Sequence, residues 1–144
     1  MPHVSLALKQ GLITGTAITF HMVKVIVPFY IGIEFLKQTN VLPALGKLFA
    51  PYMALLGLPG EAALGLAAGL FVNLYAAIAV IAPLDLPAKD VTIIALILGI
   101  AHSLPIETAV TRQAGVNAWI LCAVRLVIGT LSGASLNMLW KLFS

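Results

Sequence analysis

The chain has 144 residues, of which 61% are hydrophobic and only 9% are charged. An average globular protein carries about 25% charged residues, and so few charges cannot keep a surface this apolar in water. The composition therefore excludes a soluble enzyme and a disordered chain, and it predicts an all-α integral membrane protein. The net charge of +3 comes from basic residues spread singly along the chain, which is not the basic patch of a nucleic-acid binder.

The first hydrophobic segment, residues 12–36, predicts a transmembrane helix within an N-terminal unit of residues 1–38. Roughly 25 helical residues are enough to cross a hydrocarbon core of about 30 Å. Thr14, His21 and Lys24 lie on one stripe of this helix. We expect the stripe either to pack against another helix, with Lys24 paired to an acid, or to serve function directly.

Two short apolar helices follow, and each is interrupted at a proline. The first, residues 41–56, stops at Gly57-Leu58-Pro59-Gly60, and the second, residues 91–103, stops at Leu104-Pro105. About a dozen apolar residues are too few for a full crossing, so the first helix is predicted to enter the membrane and stop there. Residues 61–82 are either one continuous span or a hairpin arm followed by a crossing helix. Residues 116–143 predict a long final helix.

An internal repeat links the two interruptions. Residues 58–69 align without gaps to residues 104–115, at an offset of 46 residues and with six of twelve positions identical. Both copies contain Leu-Pro-x-Glu, with Pro59 and Glu61 in the first and Pro105 and Glu107 in the second. Proline ends the helix before it and suits the first position of a new one. The glutamate then falls at the third position, where it can accept from free amides of the first turn.

Each copy is therefore predicted to be a helix–break–helix hairpin with an acid at its tip. Counting crossings gives the repeats, residues 41–83 and 90–143, an inverted topology, with each hairpin followed by a transmembrane helix. Both tips, and thus Glu61 and Glu107, are expected near the membrane centre. Discontinuous helices that meet there are typical of the solute or ion site of a secondary transporter.

The final helix carries a second pattern, with Arg125, Gly129, Gly133 and Asn137 at four-residue intervals. Small residues at this spacing let another helix approach closely. We expect this face to pack against a second chain or against the hairpins, with Glu61 or Glu107 as the counter-charge of Arg125.

The Leu-Pro-x-Glu tips, the Gly-Leu-rich stretch after the first tip and the small size resemble the Gate-domain membrane proteins. This family, also called the nucleoside recognition domain, includes the spore maturation proteins A and B. Segments of the concentrative nucleoside transporters and of the FeoB iron transporter are more distantly similar. The resemblance implies a multi-pass protein of the bacterial cytoplasmic (inner) membrane.

In the nucleoside transporters a hairpin tip with the sequence Gln-Thr-Glu contacts the nucleoside. Its glutamate is similar to Glu61, and Asn73 is similar to a site asparagine. Here Pro59 and Gly60 stand in place of the Gln-Thr pair. Recognition of a base is therefore not implied, although a nucleoside-like solute is.

The functional hypothesis is a transporter, or a subunit of one, that binds a small polar solute at the two tips and moves it by alternating access. H⁺ or Na⁺ is the expected coupling ion, and no other cofactor or metal is expected. The candidate solute and ion site comprises Pro59, Gly60, Glu61, Asn73, His102, Ser103, Pro105 and Glu107. His102 and Ser103 either bind solute or relay protons, or His102 is simply hydrogen-bonded. The predicted supporting residues are His21, Lys24, Arg125, Gly129, Gly133 and Asn137.

One alternative function remains open. The chain could instead be a non-transporting assembly or regulatory subunit of a larger membrane complex. Catalysis is not expected, since no acid is spaced to complete a Ser-His triad and the single cysteine, Cys122, makes no metal site.

A chain this small scarcely encloses a solute alone, so the predicted partners are the lipid bilayer and either further copies or a second Gate-type subunit. The hairpin arrangement puts Lys9, Lys89 and Arg112 on one side and Lys37, Lys47 and Lys141 on the other. With three basic residues on each side, the positive-inside rule assigns no orientation. The chain is therefore able to insert in both orientations, and an antiparallel dimer is one form that the oligomer can take.

Overall fold

Seven α-helices account for most of residues 2–143, the part of the chain that a computed structural model describes. Their bounds are Pro2–Lys37 (α1), Val41–Ala54 (α2), Ala62–Phe71 (α3), Leu74–Ile81 (α4), Ala88–Ala101 (α5), Leu104–Gln113 (α6) and Ala118–Phe143 (α7). A 3₁₀ turn, Ala82–Leu84, follows α4. The predicted all-α class is confirmed, since residues 2–143 contain no strand.

Three helical stretches are long and apolar enough to cross a membrane: Val4–Lys37, Ala88–Gln113 and Ala118–Phe143. Large apolar side chains such as Phe20, Leu131 and Phe143 point outward along them. A continuous apolar surface of this extent requires lipid rather than water around it. The predicted membrane protein with a leading transmembrane helix is therefore confirmed, although α1 begins well before residue 12.

The best-packed helix is α5, which lies against α3, α4 and α7. Ile93 and Ile94 are almost completely buried, in one cluster with Leu66 of α3 and Ala77 of α4. The exposed residues of this helix, among them Val91, Ala95 and Gly99, share one face, and its other faces are covered.

α5 and α6 follow one another along α7, which runs in the opposite direction. From the C-terminal to the N-terminal part of α7, Gly133 contacts Ile97 and Arg125 contacts Ile100. Further along, Ala118 of α7 and Thr111 of α6 line the same cleft. The break between α5 and α6 therefore lies within one membrane-spanning stretch. The hairpin predicted at Pro105 is not formed, because α6 continues along α7 instead of packing back on α5.

The hairpin of this protein lies instead between α3 and α4. The side chain of Ile81 covers Gly65, and Ala77 lies close to Gly69, so the two helices are antiparallel. The chain reverses between Phe71 and Leu74. Residues 61–82 are thus neither one span nor an arm followed by a crossing helix. With arms of about 15 and 12 Å, neither helix reaches across a bilayer.

The first Leu-Pro-x-Glu copy lies at the end of the bundle rather than in its middle. Gly57, just before it, packs on Asn137 of α7, whereas Glu107 contacts Arg125. Twelve residues of helix separate these two positions of α7, or about 18 Å. Glu61 and Glu107 therefore do not meet, contrary to the prediction.

The two repeat copies also differ in their surroundings. α3 leads from the Gly57 end of the bundle towards the α5–α6 break, where the Gly69 carbonyl accepts from the Ser103 amide. α6 begins at that break and continues in the same sense towards the start of α7. The two copies thus run in the same direction, in place of the inverted relation that the crossing count predicted.

Turning α3–α4 back changes the distribution of basic residues between the two ends. Lys89 donates to the Gly57 carbonyl at 3.0 Å, and Lys37 donates to the Pro83 carbonyl at 2.6 Å, so both lie at the same end. The basic residues at this end are Lys37, Lys47, Lys89 and Lys141, whereas Lys9 and Arg112 lie at the other. The predicted balance between the ends becomes an excess at the end where α7 finishes.

This excess predicts one orientation in the membrane. Because cytoplasmic ends carry the surplus of Lys and Arg, a C-terminal tag should face the cytoplasm. An N-terminal tag serves as the matched control and should face outward, since three stretches cross. Protease protection of both tags in sealed inverted and right-side-out vesicles measures this. Equal protection of the C-terminal tag in the two preparations would refute the prediction and support dual insertion.

Candidate functional site

The break between α5 and α6 is built from His102 and Ser103. Pro105 has no amide hydrogen to donate to the carbonyl four residues earlier, so the helix cannot continue unbroken. His102 is extended, and Ser103 adopts a left-handed conformation with φ +50°. A non-glycine residue in that region costs about 1–3 kcal/mol and persists only where its surroundings hold it. Here the left-handed conformation of Ser103 is stabilised by the 2.9 Å hydrogen bond from its amide to the Gly69 carbonyl of α3.

Three ionisable side chains meet at this break. The Glu107 carboxylate pairs through Oε2 with Nη1 of Arg125 and lies through Oε1 at 3.4 Å from Nε2 of His102. The three residues come from α6, α7 and the α5–α6 break, so only the tertiary fold brings them together. We call this set the ion cluster.

Each member of the ion cluster is fixed by a second contact. Arg125 Nε donates to the Ile100 carbonyl at 2.7 Å, and His102 Nδ1 lies 3.0 Å from the Leu98 carbonyl. The Glu107 amide donates to the Ser103 carbonyl at 3.1 Å. The side chains are 21–34% exposed, so the cluster is partly open to its surroundings. Ionisable side chains are rare within membrane-spanning helices, which makes this cluster the candidate site of the chain.

The space beside the carboxylate is small. A cleft of about 10 Å³ lies between α6 and α7 and is lined by Glu107, Thr108, Cys122 and Arg125, among others. A volume of this size accepts about one water molecule, whereas pockets for drug-sized ligands are typically 300–1,000 Å³. Within this chain the ion cluster thus accommodates a small ion or a water, not a nucleoside.

The comparisons with known proteins identify the family. Residues 19–117 match the Gate family, described as nucleoside recognition, and this covers more than half of the chain. The chain belongs to the Gate family. It is 39% identical over 130 residues to the uncharacterized membrane protein YvoD of Bacillus subtilis (strain 168). That alignment covers 90% of this chain but only 42% of the relative. No solved structure matches the chain.

Membership in the Gate family groups the chain with transporter-like membrane proteins rather than enzymes. The matched region contains the α3–α4 hairpin, the α5–α6 break, His102 and Glu107, but it ends before Arg125. Arg125, which supplies the positive charge of the ion cluster, therefore lies in α7, beyond the matched Gate region.

The two glutamates of the repeat differ in their contacts. Glu107 is the fourth residue of α6, and Ser103 at the cap makes no side-chain cap hydrogen bond. Glu61 precedes α3 and likewise makes no such bond. The predicted capping of amides at the third position is therefore not formed in either copy. Of the two acids that the sequence offered to Arg125, the structure selects Glu107.

Pro59, Gly60 and Glu61 form the link between α2 and α3, far from the ion cluster. Gly60 and Glu61 both lie against Gly46 of α2, so closely that a Cβ at Gly60 would overlap the Gly46 carbonyl oxygen. In the described part of the chain Glu61 has no ion-pair partner. This corner is a tight packing contact.

Asn73 lies at the tip of the α3–α4 hairpin. Its Oδ1 accepts from the Ala76 amide at 2.8 Å and so caps the start of α4. The tip is on the ion-cluster side of the hairpin, since Gly69 contacts Ser103. Asn73 is thus placed near the break by its helix, with its side chain used for the turn.

The remaining predicted residues divide between α7 and α1. On α7, Gly129 and Gly133 face α5, and Asn137 faces Gly57, so this stripe packs within the chain itself. On α1, His21 and Lys24 are exposed and have no partner among the described residues. The predicted packing face of α1 is therefore unfilled by this chain.

The sequence predicted neither the Ser103–Gly69 hydrogen bond at the site nor the Lys89–Gly57 hydrogen bond at the other end of α5. Both join residues more than 30 positions apart through backbone carbonyls. Since every residue has a carbonyl, no residue type marks such a contact in advance.

Proposed function

We propose that this Gate protein is a subunit of a membrane transporter, and that a small polar solute passes at the α5–α6 break. The observation that carries the proposal is the ion cluster, in which Glu107 binds Arg125 beside an interrupted membrane helix. Ionisable side chains at membrane depth are costly and are retained mainly for ion or solute pathways. Irregular backbone at that depth is tolerated where it lines a cavity or is buried in protein.

The α3–α4 hairpin completes this arrangement. We infer that it enters the membrane from the lysine-rich end and stops at the level of the break, because its arms are too short to cross. A 2.9 Å hydrogen bond from the Ser103 amide to the Gly69 carbonyl joins the hairpin to the break. We infer that a movement of either one is transmitted to the other through this bond. Alternating access by rocking such elements about a central site is the mechanism we propose.

A second subunit is part of the proposal. The cleft at Glu107 holds about 10 Å³, which leaves no room for a solute at the ion cluster of one chain. Residues 4–20 of α1 are all exposed, and His21 and Lys24 of its polar stripe have no partner among the residues that the structure describes. The relative YvoD is also more than twice as long as its match to this chain. We therefore propose a homo-oligomer or a complex with a second Gate-type subunit.

We propose the solute class from the description of the Gate family, and the cellular location from the similarity to the Bacillus subtilis protein. The Gate family is described as nucleoside recognition, which makes nucleosides the first solutes to test. The match to a membrane protein of Bacillus subtilis supports the bacterial cytoplasmic membrane as the location. A coupling ion is expected at the ion cluster.

The test compares Glu107→Gln with Glu61→Gln. The purified protein is screened by thermal shift against nucleosides, amino acids and small peptides, because a ligand of the folded state raises the melting temperature. At 100 times the dissociation constant, the expected gain is about 2.7 kcal/mol. Glu107→Gln should abolish the shift, since the amide keeps the shape but loses the charge. Glu61→Gln is the matched control and should keep it.

If the Glu107→Gln protein retains the full shift, the proposed site is refuted. The rival function, an assembly or regulatory subunit of a larger complex, is favoured by the bare polar stripe of α1. Under that function no solute produces a shift in any variant. Replacement of His21 and Lys24 by leucine would then release the partner from detergent-solubilised membranes, whereas Glu107→Gln would not.

A further inference from the structure

We propose that the ion taken up by the ion cluster is a proton, shared between Nε2 of His102 and Oε1 of Glu107. The role of this proton in coupling rests on the proposed transporter function, which the proposal deepens by naming the ion. The proton-binding site itself depends only on the geometry at the α5–α6 break.

The hydrogen bonds assign one imidazole proton. His102 Nδ1 lies 3.0 Å from the Leu98 carbonyl oxygen, which can only accept, so Nδ1 carries a hydrogen. In a neutral imidazole, Nε2 is then an acceptor. It lies 3.4 Å from a carboxylate oxygen of Glu107, which is also an acceptor. Two acceptors at this separation repel one another unless a proton lies between them.

The surrounding groups favour a proton over a metal cation. From α7, the titratable or charged side chains that face the site are Arg125 and Cys122. α3 has no titratable side chain, and it supplies only the Gly69 carbonyl, which already accepts from Ser103. Na⁺ in such sites is coordinated by carbonyls and the C-terminal ends of half-helices. Here the guanidinium of Arg125 would repel it, and His102 would offer a nitrogen.

The remaining charged groups of these helices lie elsewhere. Lys89 and Asp90 are at the opposite end of α5, and Arg112 lies over the Trp119 ring at 5.2 Å from its centre. No set of three or more His, Cys, Asp and Glu side chains that could hold a metal occurs in residues 4–143. Of the described groups around Glu107, only His102 and Arg125 pair with its carboxylate, and Arg125 is a permanent cation, so His102 is the partner that can exchange a proton with it.

Proton binding has a direct structural consequence. A proton that arrives from water joins His102 to Glu107, while Arg125 holds the other carboxylate oxygen. When the proton returns to water, His102 is released and Glu107 keeps Arg125 alone. His102 immediately precedes Ser103, whose left-handed backbone forms the break. The proton therefore controls a residue on which the shape of the break depends.

The experiment uses the purified full chain without any solute and follows its melting temperature from about pH 6 to pH 8, around the range where histidine titrates. A shared proton is held more tightly in the folded state than by the free histidine of the unfolded chain, so it stabilises the folded state and the melting temperature should fall as pH rises. His102→Gln should remove most of this dependence, because a glutamine amide donates to Glu107 without titrating. His21→Gln, at an exposed histidine of α1, is the matched control and should keep it.

Glu107→Gln is the second variant, for the case in which His102→Gln does not fold, and it should flatten the same curve. Replacing choline chloride with NaCl at equal ionic strength should leave the melting temperature unchanged. A wild-type curve without pH dependence, a curve that His102→Gln leaves unaltered, or a sodium-specific shift lost in Glu107→Gln would overturn the proposal. A failed solute screen refutes only the proposed function, because no solute is present here.

Discussion

Replacement of Gly60 by alanine should destabilise the folded protein by about 3 kcal/mol, the upper part of the usual range for overpacking. The added methyl would overlap the carbonyl oxygen of Gly46. A backbone oxygen cannot rotate away as a side chain can, so α2 has to move away from the start of α3. Thermal unfolding in detergent measures the effect, and we expect a fall in melting temperature on the order of 10 °C.

Gly99→Ala is the control for this prediction. Gly99 lies inside α5, and an added Cβ there would meet nothing within 4 Å. Alanine favours a helix interior over glycine by about 1 kcal/mol, so this variant should be as stable as the unmodified protein or slightly more stable. Equal melting temperatures for the two alanine variants would show that the Gly46–Gly60 contact does not hold α2 in place.

Arg125→Leu should destabilise the protein by about 3 kcal/mol, because it leaves Glu107 without its cation at membrane depth. It also removes the 2.7 Å hydrogen bond to the Ile100 carbonyl. Adding Glu107→Gln to Arg125→Leu should restore most of the loss, since no uncompensated charge then remains. The melting temperatures of the two single variants and the double variant form a double-mutant cycle that gives the coupling directly.

Arg112→Leu is the matched arginine control. Arg112 is exposed and stacks over Trp119, a contact worth about 0.5–1 kcal/mol at exposed sites. Its loss should therefore change the melting temperature much less than the loss of Arg125. If Glu107→Gln fails to rescue Arg125→Leu, the destabilisation comes from lost packing and not from the stranded carboxylate.

The candidate site was predicted in its parts but not in its assembly. The sequence singled out Glu107, His102, Ser103 and Arg125, and the structure brings all four to the α5–α6 break. It also singled out Glu61, which lies against Gly46 of α2 towards the other end of the bundle. Both glutamates follow the same Leu-Pro-x motif, so nothing local distinguishes them. The difference lies in α7, which presents Arg125 to one copy and Asn137 to the neighbourhood of the other.

The locations of the helix breaks could be predicted because they depend on local chemistry. Pro59 with its flanking glycines, and Pro105 after an apolar run, interrupt helices wherever the segments lie. The reversal at Val72 and Asn73 was not predicted, since these two residues form a turn without proline or glycine. Two features fix that turn: Asn73 accepts from the Ala76 amide, and the absence of side chains at Gly65 and Gly69 lets α4 pack closely on α3.

By itself, then, the sequence determined that the protein is helical and lies in a membrane, since hydropathy and proline act on each segment independently of the others. It also determined which side chains are chemically equipped for a site. Only the tertiary structure decided that α3 turns back, that α6 continues along α7, and that Glu107 rather than Glu61 pairs with Arg125. Those outcomes depend on how closely particular helix faces approach, and the free energy of that packing is shared among residues far apart in the chain.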